Sequence, residues 1–184
     1  MNGPRTVLVV GNPRAGSRTR AAGERLVEAL TGAAPALVVD LADHAAALAV
    51  HDHPEADAVA ELVAQTGGAD LVVVASPTYK ATYTGLLKLF LERFARHDGM
   101  RGAVVPLMLG ATPEHALAVE VHLRPVLAEL GAAMPTAGLF VLEHEHDDPA
   151  AYAAWLDRHG PRITSLLAHP QPAPPLARPQ GVPA

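Results

Sequence analysis

The sequence predicts a three-layer α/β fold, a doubly wound five-stranded parallel sheet covered by helices on both faces. Three observations predict it. Five short aliphatic runs recur along the 184 residues, five amphipathic stretches alternate with them, and the loops after the first, third and fourth runs are polar and rich in Gly and Pro. Right-handed crossovers between parallel strands leave few ways to wire such an alternation. The length suits one domain, expected over residues 1–169.

Residues 6–10 (Thr-Val-Leu-Val-Val) form a continuous β-branched and aliphatic run ending at Gly11, as expected for a strand buried on both faces. Ser17 can cap a helix to about residue 31, with Ala21, Leu26, Ala29 and Leu30 as its apolar stripe. Residues 36–39 give the second strand, closed by Asp40; 41–53 are mixed; Pro54 suits a helix start, and 55–66 continue it to Gly67-Gly68. Residues 71–75 are the third strand. A helix is expected from about 84 to 96, where Leu86, Leu87, Phe90, Leu91 and Phe94 recur at helical spacing. Residues 103–109 form the fourth strand, with a bulge or an unpaired position expected at Pro106, which lacks a ladder donor. Pro113 opens a helix to Leu130, Gly131 stops it, 139–142 are the fifth strand, and 149–168 close the fold as a helix that Pro161 should break or kink. Beyond His169 the chain holds six prolines in fifteen residues without apolar periodicity, so 170–184 read as an extended or disordered tail, or as an arm on a sister subunit.

Composition removes several classes of function. The absence of cysteine excludes disulfide scaffolds, thiolate catalysis, Fe–S clusters and Cys-ligated zinc. A net charge of −5 argues against a nucleic-acid binder. No apolar run approaches the roughly 20 residues that span a bilayer, and no signal-peptide pattern opens the chain, so no membrane association and a cytoplasmic location are expected. Aromatics make up only 4% of the residues, so any aromatic in a loop stands out.

In open parallel sheets, ligands bind beyond the carboxyl ends of the strands where strand order reverses. The first such loop, residues 11–19 (Gly-Asn-Pro-Arg-Ala-Gly-Ser-Arg-Thr), offers hydroxyls, an amide, guanidinium groups and backbone N–H donors at a helix N-terminus, which together suit an anion. It matches neither GxxxxGK[ST] nor GxGxxG, so a monoester phosphate fits better than a triphosphate or pyrophosphate. An ordinary strand-to-helix turn with a Ser cap is the plainer alternative. The second loop, residues 76–85, holds two of the three tyrosines, Tyr79 and Tyr83, with Pro77, and could wall a flat aromatic ligand. The third, residues 110–115, is small and polar, as a backbone approaching a ring should be.

The ordered set of Gly11-Asn12-Pro13-Arg14-x-x-Ser17-x-Thr19, Ser76-Pro77-Thr78-Tyr79-Lys80 with Tyr83-Thr84-Gly85-Leu86-Leu87-Lys88, and Gly110-x-Thr112-x-x-His115-x-Leu117-Ala118 resembles the NADPH-dependent FMN reductases. It is most similar to the branch serving two-component alkanesulfonate monooxygenases. The resemblance implies a flavodoxin-like sheet of order 2-1-3-4-5, FMN and NADPH (or NADH) as ligands, a flavin-dependent monooxygenase as partner, and a homodimer or homotetramer. It implies that Asn12, Arg14, Ser17 and Thr19 hold the FMN phosphate, that Pro77, Thr78, Tyr79 and Lys80 lie along the isoalloxazine, and that Gly110 and Thr112 approach it. Asn12 stands where many members have Ser. The sulfonate branch carries a π-bulge in its fourth helix at a subunit interface, and Pro125, which cannot donate to the Val121 carbonyl, gives a chemical reason for an irregularity near Val121 and His122.

A flavin carries the hydride step itself, so no catalytic side chain is expected. No nucleophile elbow, HExxH or paired strand-end carboxylates appear. His144 and His146, by alternating at a strand end, could share one side and ligate a metal, as could His51 and His53, although exposed polar turns account for both pairs without a metal. Arg18 and Arg20 are candidates for reading a nicotinamide 2′-phosphate. Three functions stay open: a reductase of free FMN, an FMN-retaining quinone, azo-dye or metal-ion reductase, and a flavodoxin-type electron carrier.

Overall fold

The computed structural model describes residues 3–50 and 53–169. Its five strands, β1 (Thr6–Val10), β2 (Leu37–Asp40), β3 (Leu71–Pro77), β4 (Ala103–Gly110) and β5 (Leu139–Leu142), form one parallel sheet of order β2-β1-β3-β4-β5. Order reverses at β1 and β3, so the rim above their carboxyl ends is a crevice. Among the described residues six α-helices cover the sheet: α1 (Arg18–Thr31), α2 (Ala45–Ala49), α3 (Ala56–Gly67), α4 (Gly85–Leu91), α5 (Arg124–Glu129) and α6 (Ala150–Ala168). The expected flavodoxin-like sandwich is present. The Pro-rich tail and His51 lie outside the described residues.

The strands are aliphatic throughout because both faces are buried. Val7 and Val9 face the core shared with α2, α3, α4 and α5, whereas Leu8 and Val10 face the core shared with α1 and α6. Each fully buried Val or Leu stabilises the fold by about 1.5–3 kcal/mol, which is how a chain with few aromatics holds its layers together.

Several elements differ from the sequence expectation. Pairing of β3 with β4 runs through Val74 and Pro106 without a bulge. The Val104 N–H donates to the Ala133 carbonyl on the β5 side, so the Pro106 nitrogen two residues on faces the same side. There it falls before β5 pairing starts at Leu107 and Leu139, and no ladder donor is needed. The helix expected over 84–96 ends at Leu91; Arg93 and Phe94 turn tightly, their N–H groups reaching Phe90 and Leu91 carbonyls, and His97 takes a left-handed φ of 67°. Residues 41–49 form a 3₁₀ turn and then α2. The single helix expected over 113–130 is three pieces: a 3₁₀ turn Pro113–His115, a π-helical turn Val119–Leu123, and α5. In the π turn the Arg124 N–H reaches the Val119 carbonyl, five residues back, and Pro125 leaves the Val121 carbonyl without its usual donor. Helix α6 passes Pro161 unbroken. That proline lies on the exposed face, where the carbonyl it deprives can turn to water.

Candidate functional site

The loops after β1, β3 and β4 meet at one rim, joined by a small hydrogen-bond network. Gly11 donates to the Ala75 carbonyl at 2.7 Å. The Thr84 hydroxyl donates to the Gly11 carbonyl at 2.5 Å and accepts from the Leu87 N–H at 3.1 Å, capping α4. The Thr84 N–H donates in turn to Ser76 Oγ at 3.2 Å, and the Thr78 N–H donates to the Leu109 carbonyl at 2.6 Å. Thus the first loop is tied to the second, and the second to the end of β4.

The first loop is shaped from within. Asn12 donates to Thr19 Oγ1 at 3.0 Å and accepts from the Arg14 N–H at 2.9 Å, an Asx turn that orders residues 12–14. Gly16 adopts a φ of +62°, which a side chain would strain. Ser17 caps α1 as expected, accepting from the Arg20 N–H at 3.4 Å. Asp40, buried at the end of β2, accepts from the Gly16 N–H at 3.2 Å and lies 3.8 Å from the Arg20 guanidinium. Arg20 also binds Glu24 at 2.8 Å, and that hydrogen bond, more than the nearby Asp40 charge, holds its guanidinium above its ordinary pKa. Arg18 reaches Glu143, just beyond β5, at 3.3 Å. Arg14 is exposed and makes no side-chain hydrogen bond or ion pair among the described residues.

In the second loop Tyr79 and Thr82 exchange both backbone hydrogen bonds around Lys80 (φ 52°) and Ala81 (φ 63°). This two-residue turn with both central residues left-handed normally takes Asn or Gly, so it stores strain at the rim. It projects Tyr79, which is 47% exposed, and Lys80 toward solvent. Pro77 ends β3, its carbonyl taking the Ser76 hydroxyl at 2.9 Å.

At the third loop, a Cβ on Gly110 would lie 2.6 Å from Phe140 Cζ and 3.3 Å from His115 Cβ, so a side chain there would have to displace the Phe140 ring. Two buried polar atoms near it lack any partner: Thr78 Oγ1, on the residue bonded to Leu109, and His115 Nδ1. Unpaired buried acceptors and donors cost about 1–3 kcal/mol each. Thr112 hydrogen-bonds Glu114 and holds its carboxyl below the ordinary value.

The structure therefore brings all ten expected residues to the strand-end rim, but with unequal roles. The side chains of Asn12 and Thr19 organise the loop; Arg14, Ser17, Tyr79 and Lys80 point outward or keep free donors. Sequence reasoning missed Asp40, Ser76, Thr84 and His115. A polar residue at a strand end was the available signal for Asp40 and Ser76; Asp40 bonds Gly16, 24 residues back, and Ser76 bonds within its own loop, to Pro77 and Thr84. His144 belongs to a 3₁₀ turn, Glu143–Glu145, and does not continue β5 in strand alternation with His146, so the geometry argued for a metal pair is missing. Among the described residues no group of three His, Asp or Glu side chains converges as a metal site, and no helix is long and apolar enough to cross a membrane. A cleft of about 420 Å³ lies away from the rim, between α4 and α5, over Leu91, Phe94, Pro125 and Val126.

The family model for NADPH-dependent FMN reductases matches residues 4–147. Among characterised proteins, the chain is 35% identical to the NADH-dependent FMN reductase SfnF of Pseudomonas putida, with 80% of this chain and 85% of that one covered. It is 31% identical to an FMN reductase (NADPH) of Escherichia coli, covering 77% and 78% of the two chains. The apo structure of an NADH:FMN oxidoreductase, EMOB, superposes with a TM-score of 0.77 at 25% identity over 91% of this chain and 97% of that one. An oxidoreductase from Corynebacterium diphtheriae, 23% identical, shares the fold with a TM-score of 0.72 over 91% and 97%.

Proposed function

The chain belongs to the NADPH-dependent FMN reductase family, and from that premise we propose that it treats FMN as an exchangeable substrate and passes the reduced flavin to a flavin-dependent monooxygenase. Its activity is that of an NAD(P)H-dependent FMN reductase. FMN, when bound, would supply the hydride-accepting chemistry, and the protein's part would be to bind, orient and shield.

The residues fit the group. Arg14, Ser17 and the backbone N–H groups opening α1 would hold the phosphate, with Asn12 and Thr19 keeping that loop in shape. Pro77, Thr78, Tyr79 and Lys80 would flank the ring, and Gly110 and Thr112 would let it approach the β4 end. The observation that carries this reading is the pair of orphaned buried atoms, Thr78 Oγ1 and His115 Nδ1, beside Gly110 at the end of β4. They await the hydrogen-bonding edge of a flat polar ring. Delivery to a monooxygenase is supported by the residue pattern shared with the alkanesulfonate branch and by the π turn at Val119–Leu123. A homo-oligomer is supported by Leu117 and Val121, large apolar side chains left exposed just before and on that turn.

The test is NADPH and NADH oxidation by the purified chain with and without added FMN. Saturable dependence on added FMN, with little flavin retained through gel filtration, is the expected result. A yellow protein that keeps its FMN and reduces quinones without added flavin would replace this reading with a retained-cofactor reductase.

A further inference from the structure

The cradle at the start of α1 is electrostatically muted. Of its three arginines, Arg18 is drawn to Glu143, Arg20 is shared between Glu24 and Asp40, and Arg14 alone has no side-chain partner among the described residues. Beneath the loop sits Asp40, with only 2% of its side chain exposed. Its Oδ2 holds the Gly16 N–H at 3.2 Å and its Oδ1 accepts from the Ala42 N–H at 3.4 Å. Its one cationic neighbour among the described residues, Arg20, stands 3.8 Å away and is itself bound more closely to Glu24, with Asp43 also nearby. A buried carboxylate is costly unless it is paired, and here the pairing is partial. It also occupies a backbone donor that an anion cradle would otherwise offer.

We propose that Asp40 is a positioning residue that sets the affinity for the flavin's phosphate: it pins Gly16 in its left-handed conformation and its charge opposes the phosphate, keeping FMN exchangeable. This rests on the reading of residues 11–19 as the phosphate loop. Two effects of opposite sign follow from one side chain. The hydrogen bond to Gly16 orders the loop and favours binding; the charge, buried just beneath an exposed loop, disfavours a dianion. The two are separable, because Asn can keep its one acceptor oxygen on the Gly16 N–H, giving up the longer bond from Ala42, and removes the charge, whereas Ala removes both.

The experiment titrates the full chain, wild type and Asp40→Asn and Asp40→Ala variants, with FMN and with riboflavin, following quenching of flavin fluorescence at two salt concentrations. Asp40→Asn should bind FMN tighter by on the order of three- to tenfold at low salt, less at high salt, with riboflavin unchanged. Asp40→Ala should bind FMN about tenfold more weakly than Asp40→Asn, since the loop loses its anchor. Asp40→Asn binding FMN no tighter than wild type, or shifting riboflavin equally, overturns the proposal while leaving the phosphate loop intact. Wild type failing to distinguish FMN from riboflavin overturns the phosphate-loop reading itself, and this proposal with it.

Discussion

Replacing Thr84 with Val tests whether one hydroxyl joins the phosphate-loop strand end to the ring-side loop. Val keeps nearly the volume and the buried methyl, but sets a second methyl against the Gly11 carbonyl in place of the hydroxyl, so it removes the bond and crowds its partner. What disappears is the donor to the Gly11 carbonyl at 2.5 Å and the cap acceptor for the Leu87 N–H at 3.1 Å. Losing the cap costs about 1 kcal/mol. Leaving the Gly11 carbonyl with an unmet buried partner adds about 1–3 kcal/mol, for a sum near 2–4 kcal/mol. In a domain of this size 1 kcal/mol moves Tm by about 2–4 °C, so a fall of roughly 4–16 °C is expected. Urea and thermal melts followed by the single tryptophan, Trp155, whose indole N–H binds the Ala137 carbonyl, read this directly. Thr84→Ser retains the hydroxyl and should lose about 1 kcal/mol or less. FMN affinity should fall several-fold in the Val variant at temperatures where it remains folded. A Val variant within about 0.5 kcal/mol of wild type, or a Ser variant as damaged as Val, would refute the reasoning.

Ala81→Gly should raise stability by about 1 kcal/mol, seen as a higher urea midpoint, because glycine accepts the φ of 63° without strain. Arg14→Ala should weaken FMN about tenfold in fluorescence titration, with little effect on riboflavin and less effect at high salt. Burial pushes the Tyr152 hydroxyl up to about 12, and it donates to the His146 carbonyl at 2.7 Å. The folded state thus holds this proton more tightly than the unfolded state, so its contribution is complete below pH 10 and is lost as pH rises toward 12. Urea midpoints across that range should fall less steeply in Tyr152→Phe than in wild type.

Most of the frame was legible because two-sided burial makes each strand a continuous aliphatic run, and because the Ser17 cap is a local signal. Apolar spacing failed where it reported burial in place of helicity. Phe94 is buried and packs edge-on against Phe90 at 5.2 Å, yet the helix has already ended. In 113–130 the Pro113 start and the Gly131 stop gave no sign of the break between them, and the π turn still buries Val119 and Leu123 as an α-helix would. Two of the missed site residues, Thr84 and Asp40, share one cause. Thr84 acts on Gly11, 73 residues away, and Asp40 on Gly16, 24 residues away, so nothing in their neighbours announces the bond.

A crystal structure of the full chain grown with FMN tests the central claim most directly. The account predicts the phosphate on residues 11–19, beside Arg14 and Ser17, with the ring between the Pro77–Lys80 segment and Gly110. A phosphate bound elsewhere, or a ring seated in the cleft between α4 and α5, would contradict it.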